Sequence, residues 1–127
     1  MKKFIITLAL MLVSIASFAQ NVQWFQATSF AYKPAYGSWT DWEPSTVKIA
    51  FNFSDNTIVI YSPQTQIYAV IRQVPADYDP NGIQEKYYVV NANGSYGYIR
   101  LRIEKNGNSQ IYIDYSDVSL VYNVRRI

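Results

Sequence analysis

Tyr36, Trp39 and Trp42 lie close together in the chain, interleaved with Gly37, Ser38, Thr40 and Asp41 and followed by Glu43. A tryptophan face offers a large apolar area with a dipolar edge, suited to the CH faces of sugars, to small apolar molecules or to a protein partner. Asp41, between the two indoles, can accept hydrogen bonds from ligand hydroxyls. Tyr36, Trp39, Asp41 and Trp42 are therefore the expected ligand-binding residues. The segment has a second reading of equal weight, in which Trp39 and Trp42 turn inward and plug an open end of the domain.

A second constellation is Asp77-Tyr78-Asp79-Pro80-Asn81-Gly82, with oxygen ligands at positions one, three and five and glycine at six, as in the first half of a calcium loop. The twelfth position, where a bidentate glutamate belongs, is Tyr88. Asp79-Pro80-Asn81-Gly82 is equally an ordinary β-turn, and a solvated turn is the expectation. Calcium would need Asp77, Asp79 and Asn81; no metal and no cofactor are expected.

Catalytic chemistry has little to work with. The chain of 127 residues has no His and no Cys, which removes nucleophile-histidine catalysis, thiolate or imidazole metal sites, disulfides and redox chemistry. Of Lys33, Lys48, Lys86 and Lys105 only Lys48 completes a Ser-x-x-Lys spacing, with Ser45, and it does so on an alternating strand segment and not on a helix turn that would bring the two together. Two carboxylates about 5 to 10 Å apart can hydrolyse a glycoside, but nine acids on so small a surface reach that spacing by chance. The chain is read as non-enzymatic.

Met1, Lys2 and Lys3 precede an apolar run from Phe4 to Ile15, and Ser17-Phe18-Ala19 supplies the small residues of an export cleavage site. Residues 1–19 are expected to be a cleaved signal peptide and 20–127 a single mature domain. The apolar run is shorter than the roughly 20 residues a spanning helix needs, so no membrane insertion is expected. Without a cysteine at the cleavage site the product is not a lipoprotein, and it should be exported to the periplasm or beyond. Losing Lys2 and Lys3 leaves nine basic residues against nine acidic ones. A balance of this kind argues against nucleic-acid binding, which needs a clustered basic excess.

The elements that must position these residues follow a period of two. Val47, Ile49, Phe51 and Phe53 alternate with polar or small residues, as do Ile99, Leu101 and Ile103 with Arg100, Arg102 and Glu104. Ile111, Ile113 and Tyr115, then Leu120, Tyr122 and Val124, continue the pattern. With Trp24 to Tyr32, Ile58 to Tyr61, Ile67 to Ile71 and Tyr87 to Val90, eight strands are expected. Ser54-Asp55-Asn56, Asn93-Gly94, Asn106-Gly107 and Tyr115-Ser116-Asp117 read as tight turns. Pro34 to Ser45 and Val74 to Glu85 read as long loops, the places to look for binding. Arg100 or Arg102 is expected to pair with Asp114 across neighbouring strands.

Eight antiparallel strands joined mainly by hairpins in about 108 residues suit an all-β up-and-down barrel, with a two-sheet β-sandwich as the alternative. An eight-stranded barrel holds its own side chains or one small ligand. Trp39-Thr40-Asp41-Trp42, the run from Asn52 to Ser62 with Gln66-Ile67-Tyr68, and the run from Ile111 to Asp117 together resemble the small exported β proteins of Bacteroidetes. That resemblance implies a lipocalin- or streptavidin-like architecture, a group without established activity, and it transfers no active residue. The expected function is a non-enzymatic binding module for a small apolar or glycan ligand, held where Trp39 and Trp42 meet the loop from Val74 to Glu85. The alternative is a protein-interaction domain with a filled core, an inhibitor or an assembly component touching an envelope protein.

Overall fold

The computed structural model describes residues 22–127; the leader read over 1–19 and the cleavage site before Gln20 lie outside them. Alternating β-branched and aromatic residues give nine strands: β1 (Val22–Pro34), β2 (Glu43–Pro44), β3 (Lys48–Asn52), β4 (Thr57–Tyr61), β5 (Gln66–Asp79), β6 (Gly82–Asn91), β7 (Tyr96–Glu104), β8 (Ser109–Asp114) and β9 (Val118–Arg126). From β3 to β9 each strand pairs antiparallel with the next in sequence. Closure falls to β1, which pairs with β3 over Val22 to Gln26 and with β9 over Phe25 to Pro34. The result is an eight-stranded up-and-down barrel with the two-residue β2 as an addition on β1. A single closed sheet replaces the two-sheet alternative, because β1 is long enough to hold both partners and so leaves no seam.

The pleat sends Ile49, Phe51, Ile58, Ile60, Ile99, Leu101, Ile111 and Ile113 inward, where all are buried. Phe25, Tyr68, Tyr87 and Tyr122 fill the space between them, and Phe51 meets Phe25 and Tyr87 edge-on at 5.6 and 5.7 Å. A β-bulge between Ala27 and Ser29 resets β1, so that Ala27 and Phe30 both pack toward the core while Ser29 and Ala31 face outward. One end of the interior is capped by hydroxyls: the Tyr115 OH donates to the Tyr68 OH at 2.9 Å and accepts from Asn91 Nδ2 at 3.2 Å. At the other end Asn52, Phe53, Val70, Gln73 and Tyr87 border a cavity of about 130 Å³. That volume is well below the roughly 300 Å³ at which small-molecule sites begin. The barrel carries its own side chains along its axis.

Two sequence expectations about connections change. Val74 to Glu85 is not a loop: Asp77 pairs with Gln84, Tyr78 with Ile83 and Asp79 with Gly82, leaving only Pro80 and Asn81 as the turn. β5 continues beyond the end of β4, where both faces meet solvent and no apolar alternation is required. Pro75 falls at an irregularity between Val74 and Asp77, where the ladder needs no amide from it. Gly82 is required there, since a Cβ would stand 2.1 Å from the Ile103 carbonyl oxygen. The Asn-Gly hairpins also differ in detail. In each Asn-Gly pair the glycine alone takes positive φ, 85° at Gly94 and 91° at Gly107, and their N–H groups donate back to Asn91 O and Glu104 O respectively, both at 3.0 Å. The Asn-Gly pair thus ends a longer loop with one left-handed residue instead of forming a two-residue turn.

Candidate functional site

Among the described residues the 35–47 connection is the one long excursion, and it is tied down along β1. Where β3 parts from β1, the upper edge of β1 would stand open; the returning chain takes it. Thr40 N–H donates to Tyr32 O at 2.8 Å, and Tyr32 N–H donates to Thr40 Oγ1 at 3.0 Å. Below them β2 pairs with Ser29 and Phe30, Ser45 N–H reaches Thr28 O, and Ala27 N–H reaches Val47 O. This ribbon satisfies an otherwise exposed edge and fixes where Trp39 and Trp42 sit.

Both indoles lie on the outer wall of the barrel, not in its mouth. Trp39, Thr40 and Trp42 border a groove of about 290 Å³ with Ala31, Val121 and Tyr112. Ala31 and Val121 are cross-strand partners on the outer face and are buried only because the ribbon covers them. Trp39 meets the Tyr112 ring edge-on at 6.4 Å. Trp39 and Trp42 remain 42% and 47% exposed, so the plug reading is replaced: an inward-turned indole would be buried, and the interior is already full. Asp41 is exposed between them, whereas Tyr36 is fully exposed at the tip of the connection and does not border the groove.

A polar row runs beside the groove, one residue pair along the strands. Tyr112 OH donates to Gln110 Oε1 at 2.7 Å, Gln110 Nε2 donates to Asn123 Oδ1 at 2.9 Å, and Asn123 Nδ2 donates to Ser29 Oγ at 2.9 Å. Each amide nitrogen has a second hydrogen to offer, and the hydroxyl of Ser29 can donate. Apolar faces next to oriented amides are what a polyhydroxylated ring needs. The sequence offered Tyr112 through its alternation with Ile111 and Ile113, which puts it outward; nothing local placed it, Gln110, Asn123 or Val121 beside Trp39.

The expected meeting of Trp39 and Trp42 with the 74–85 segment does not occur. Strand direction alternates throughout, so the turns after β3, β5 and β7 share one end of the barrel, and the turn at Pro80-Asn81 stands opposite the end that carries 35–42. The calcium half-motif is occupied by protein. Both Asp79 carboxylate oxygens accept from Arg102, at 2.6 and 3.0 Å, and Oδ1 also accepts from the Asn81 and Gly82 N–H groups. Arg102 foremost, then the turn amides, hold Asp79 down at about 2, below the usual carboxylate range. Asp79 is a turn cap bound to a guanidinium. Of the two arginines, Arg100 takes Asp114 at 2.6 Å, and Arg102 takes Asp79 and Glu104. Among the described residues no group of three or more Asp, Glu, His or Cys is placed to hold a metal ion. No helix among them is long and apolar enough to cross a membrane.

Comparison with known proteins finds no matching family model, no matching curated protein and no matching solved structure.

Proposed function

We propose that the protein is an exported, non-enzymatic glycan-binding module whose ligand lies against the outer wall of the barrel, in the groove of Trp39, Trp42 and Tyr112. The observation that carries this reading is two half-exposed indoles held by a hydrogen-bonded ribbon over an apolar floor, beside the Gln110, Asn123 and Ser29 row. Holding large apolar faces in water is unfavourable unless a ligand or partner covers them, and a rigid frame lowers the ordering cost when one does. Sugar CH faces stack on the rings, while Asp41, the amides and the Ser29 hydroxyl meet the ring hydroxyls. The packed interior directs the ligand outward, in place of the barrel mouth expected of a hollow carrier.

The test is affinity electrophoresis of residues 20–127 through a panel of soluble polysaccharides, beside the Trp39→Ala, Trp42→Ala double variant. Retardation of the parent by at least one glycan and its loss in the double variant, with an unchanged melting temperature, is the expected result. Equal mobility of the two proteins in every gel refutes the site.

A protein-interaction role is the second reading, and a separate surface favours it. Trp24, Ala50, Val59 and Ile67 are in register across β1, β3, β4 and β5 on the outer face, with Tyr61 stacked on Trp24 at 5.8 Å. Native mass spectrometry of the protein from its own host distinguishes the two, by an added small mass or a second polypeptide.

A further inference from the structure

The groove does not end at Tyr112. From there toward β5 the outer wall carries tyrosines and cations in alternation: the Arg100 guanidinium lies over the Tyr112 ring at 4.2 Å, Lys86 Nζ over Tyr98 at 4.3 Å, and Arg72 over Tyr88 at 5.6 Å. Cross-strand register makes this one band. Tyr98 pairs with Tyr88 and Tyr88 with Arg72, while Lys86 pairs with Arg100 and Arg100 with Tyr112. Ring centroids of Tyr88 and Tyr98 are 5.2 Å apart, and Tyr96 stacks on Tyr88 at 5.7 Å. The band therefore runs across the strands, with aromatic rings on β8, β7 and β6 at strand steps of about 4.8 Å. That step is close to the advance of one pyranose along an extended glycan.

The charges on the band are unequal. Arg100 is matched by Asp114, but among the described residues Lys86 and Arg72 form no ion pair. Their cationic groups lie over ring faces, which holds each charge at a fixed place instead of leaving it to sweep through solvent. Asp41 and Glu43 flank Trp42 in the chain without lining the groove, and Asp79 and Glu104 are taken up by Arg102. A positive track with aromatic footing thus leads away from a groove whose lining is uncharged.

Resting on the glycan reading above, we infer that the ligand is an acidic polysaccharide, an extended chain bearing carboxylates. A neutral face of the chain stacks in the Trp39 and Trp42 groove, and its carboxylates fall on Lys86 and Arg72. Anion contacts to these two side chains supply the selectivity, and the aromatic rings supply the contact that is independent of charge.

The deciding experiment measures retardation by polygalacturonate, alginate and hyaluronate, each beside its methyl-esterified form, which keeps the backbone and removes the charge. The proteins are the parent, Arg72→Gln with Lys86→Gln, the conservative Arg72→Lys with Lys86→Arg, and Trp39→Ala with Trp42→Ala. Expected is parent binding to at least one acidic polymer about tenfold tighter than to its ester, a ratio worth about one charge-assisted hydrogen bond. The glutamine pair abolishes that ratio without abolishing binding to the ester, the conservative pair keeps it, and added salt reduces it. Binding to ester and acid alike in the parent, or an unchanged ratio in the glutamine pair, overturns the acidic-chain inference and leaves the tryptophan groove standing. Binding to neutral polymers alone does the same. No retardation by any acidic, esterified or neutral polymer overturns both.

Discussion

Tyr68→Phe separates two contributions that one buried hydroxyl makes to stability. Tyr68 is 1% exposed, its OH donates to Gln66 Oε1 at 2.7 Å and accepts from the Tyr115 OH at 2.9 Å. Burial first, then the Tyr115 bond, pushes the phenol far above its ordinary value. Burial followed by the Glu85 bond does the same to Tyr87, and burial alone raises Tyr122. A phenol that holds its proton more tightly when folded contributes stability that is complete below the unfolded value of about 10 and is lost progressively as pH rises from there through the folded value. Tyr68 and Tyr87, raised furthest, then each remove about 1.4 kcal/mol at pH 11 and about 2.7 kcal/mol at pH 12. The two together remove about 3 and about 5 kcal/mol, with Tyr122 acting in the same direction, against a net stability of about 5 to 15 kcal/mol for an ordinary domain. The phenylalanine variant gives up the hydrogen bonds, costing about 1 to 3 kcal/mol near neutral pH, and also loses one of the three titrating groups. The gap between parent and variant should narrow by about 1.4 kcal/mol at pH 11 and by about 2.7 kcal/mol at pH 12, enough to close or reverse it. Urea unfolding followed by tryptophan fluorescence at pH 8, 11 and 12 measures it. A gap that stays constant over that range refutes the argument, because the Tyr68 proton would then be bound no more tightly in the fold than out of it.

The remaining predictions concern the turn and the ribbon. Asp79, whose carboxyl is held at about 2, stabilises the fold fully above the unfolded value of about 4, and this is lost as pH falls toward 2. Asp79→Asn should therefore lower the melting temperature at pH 7 and match the parent near pH 2; millimolar calcium should leave the parent's melting temperature where it is. Gly82→Ala drives a methyl into the Ile103 carbonyl and should cost about 1 to 3 kcal/mol or more by urea titration, with β6 and β7 losing amide protection first. Thr40→Val keeps the shape and removes the acceptor of the Tyr32 N–H, so hydrogen exchange at Tyr32 should quicken and stability fall by about 1 kcal/mol. Phe51→Ala, in the midst of Phe25, Phe53 and Tyr87, should cost about 3 to 5 kcal/mol in the same titration.

The barrel was legible because its strands obey a local rule. Ile49 and Phe51, Ile99 and Leu101, and Ile111 and Ile113 face inward at every second position, and that period is a property of the chain, not of its partners. Tight turns at Asn56, Gly94 and Gly107 follow from residues that accept positive φ. The 74–85 hairpin escaped the rule because solvent bathes both its faces, so polar residues and a proline are tolerated where a buried strand would reject them. Of the expected ligand residues, Trp39 and Trp42 border the groove, Asp41 lies between them in the chain without bordering it, and Tyr36 stands apart. Alternation also put Tyr112 and Gln110 on the outside without saying what they face.

What the sequence determined by itself is strand alternation, antiparallel order and the absence of cysteine and histidine chemistry, all of which depend on neighbours in the chain. Tertiary structure decided the rest. Closure is set by a single strand long enough to pair with both β3 and β9, and its bulge at Thr28 turns Ala31 outward to floor the groove. The groove and its cationic extension join residues from β1, the ribbon and β5 through β9. Their adjacency exists only once the sheet has curled shut, since it is register between distant strands, not spacing along the chain, that brings Trp39 to Tyr112 and Tyr112 to Arg100.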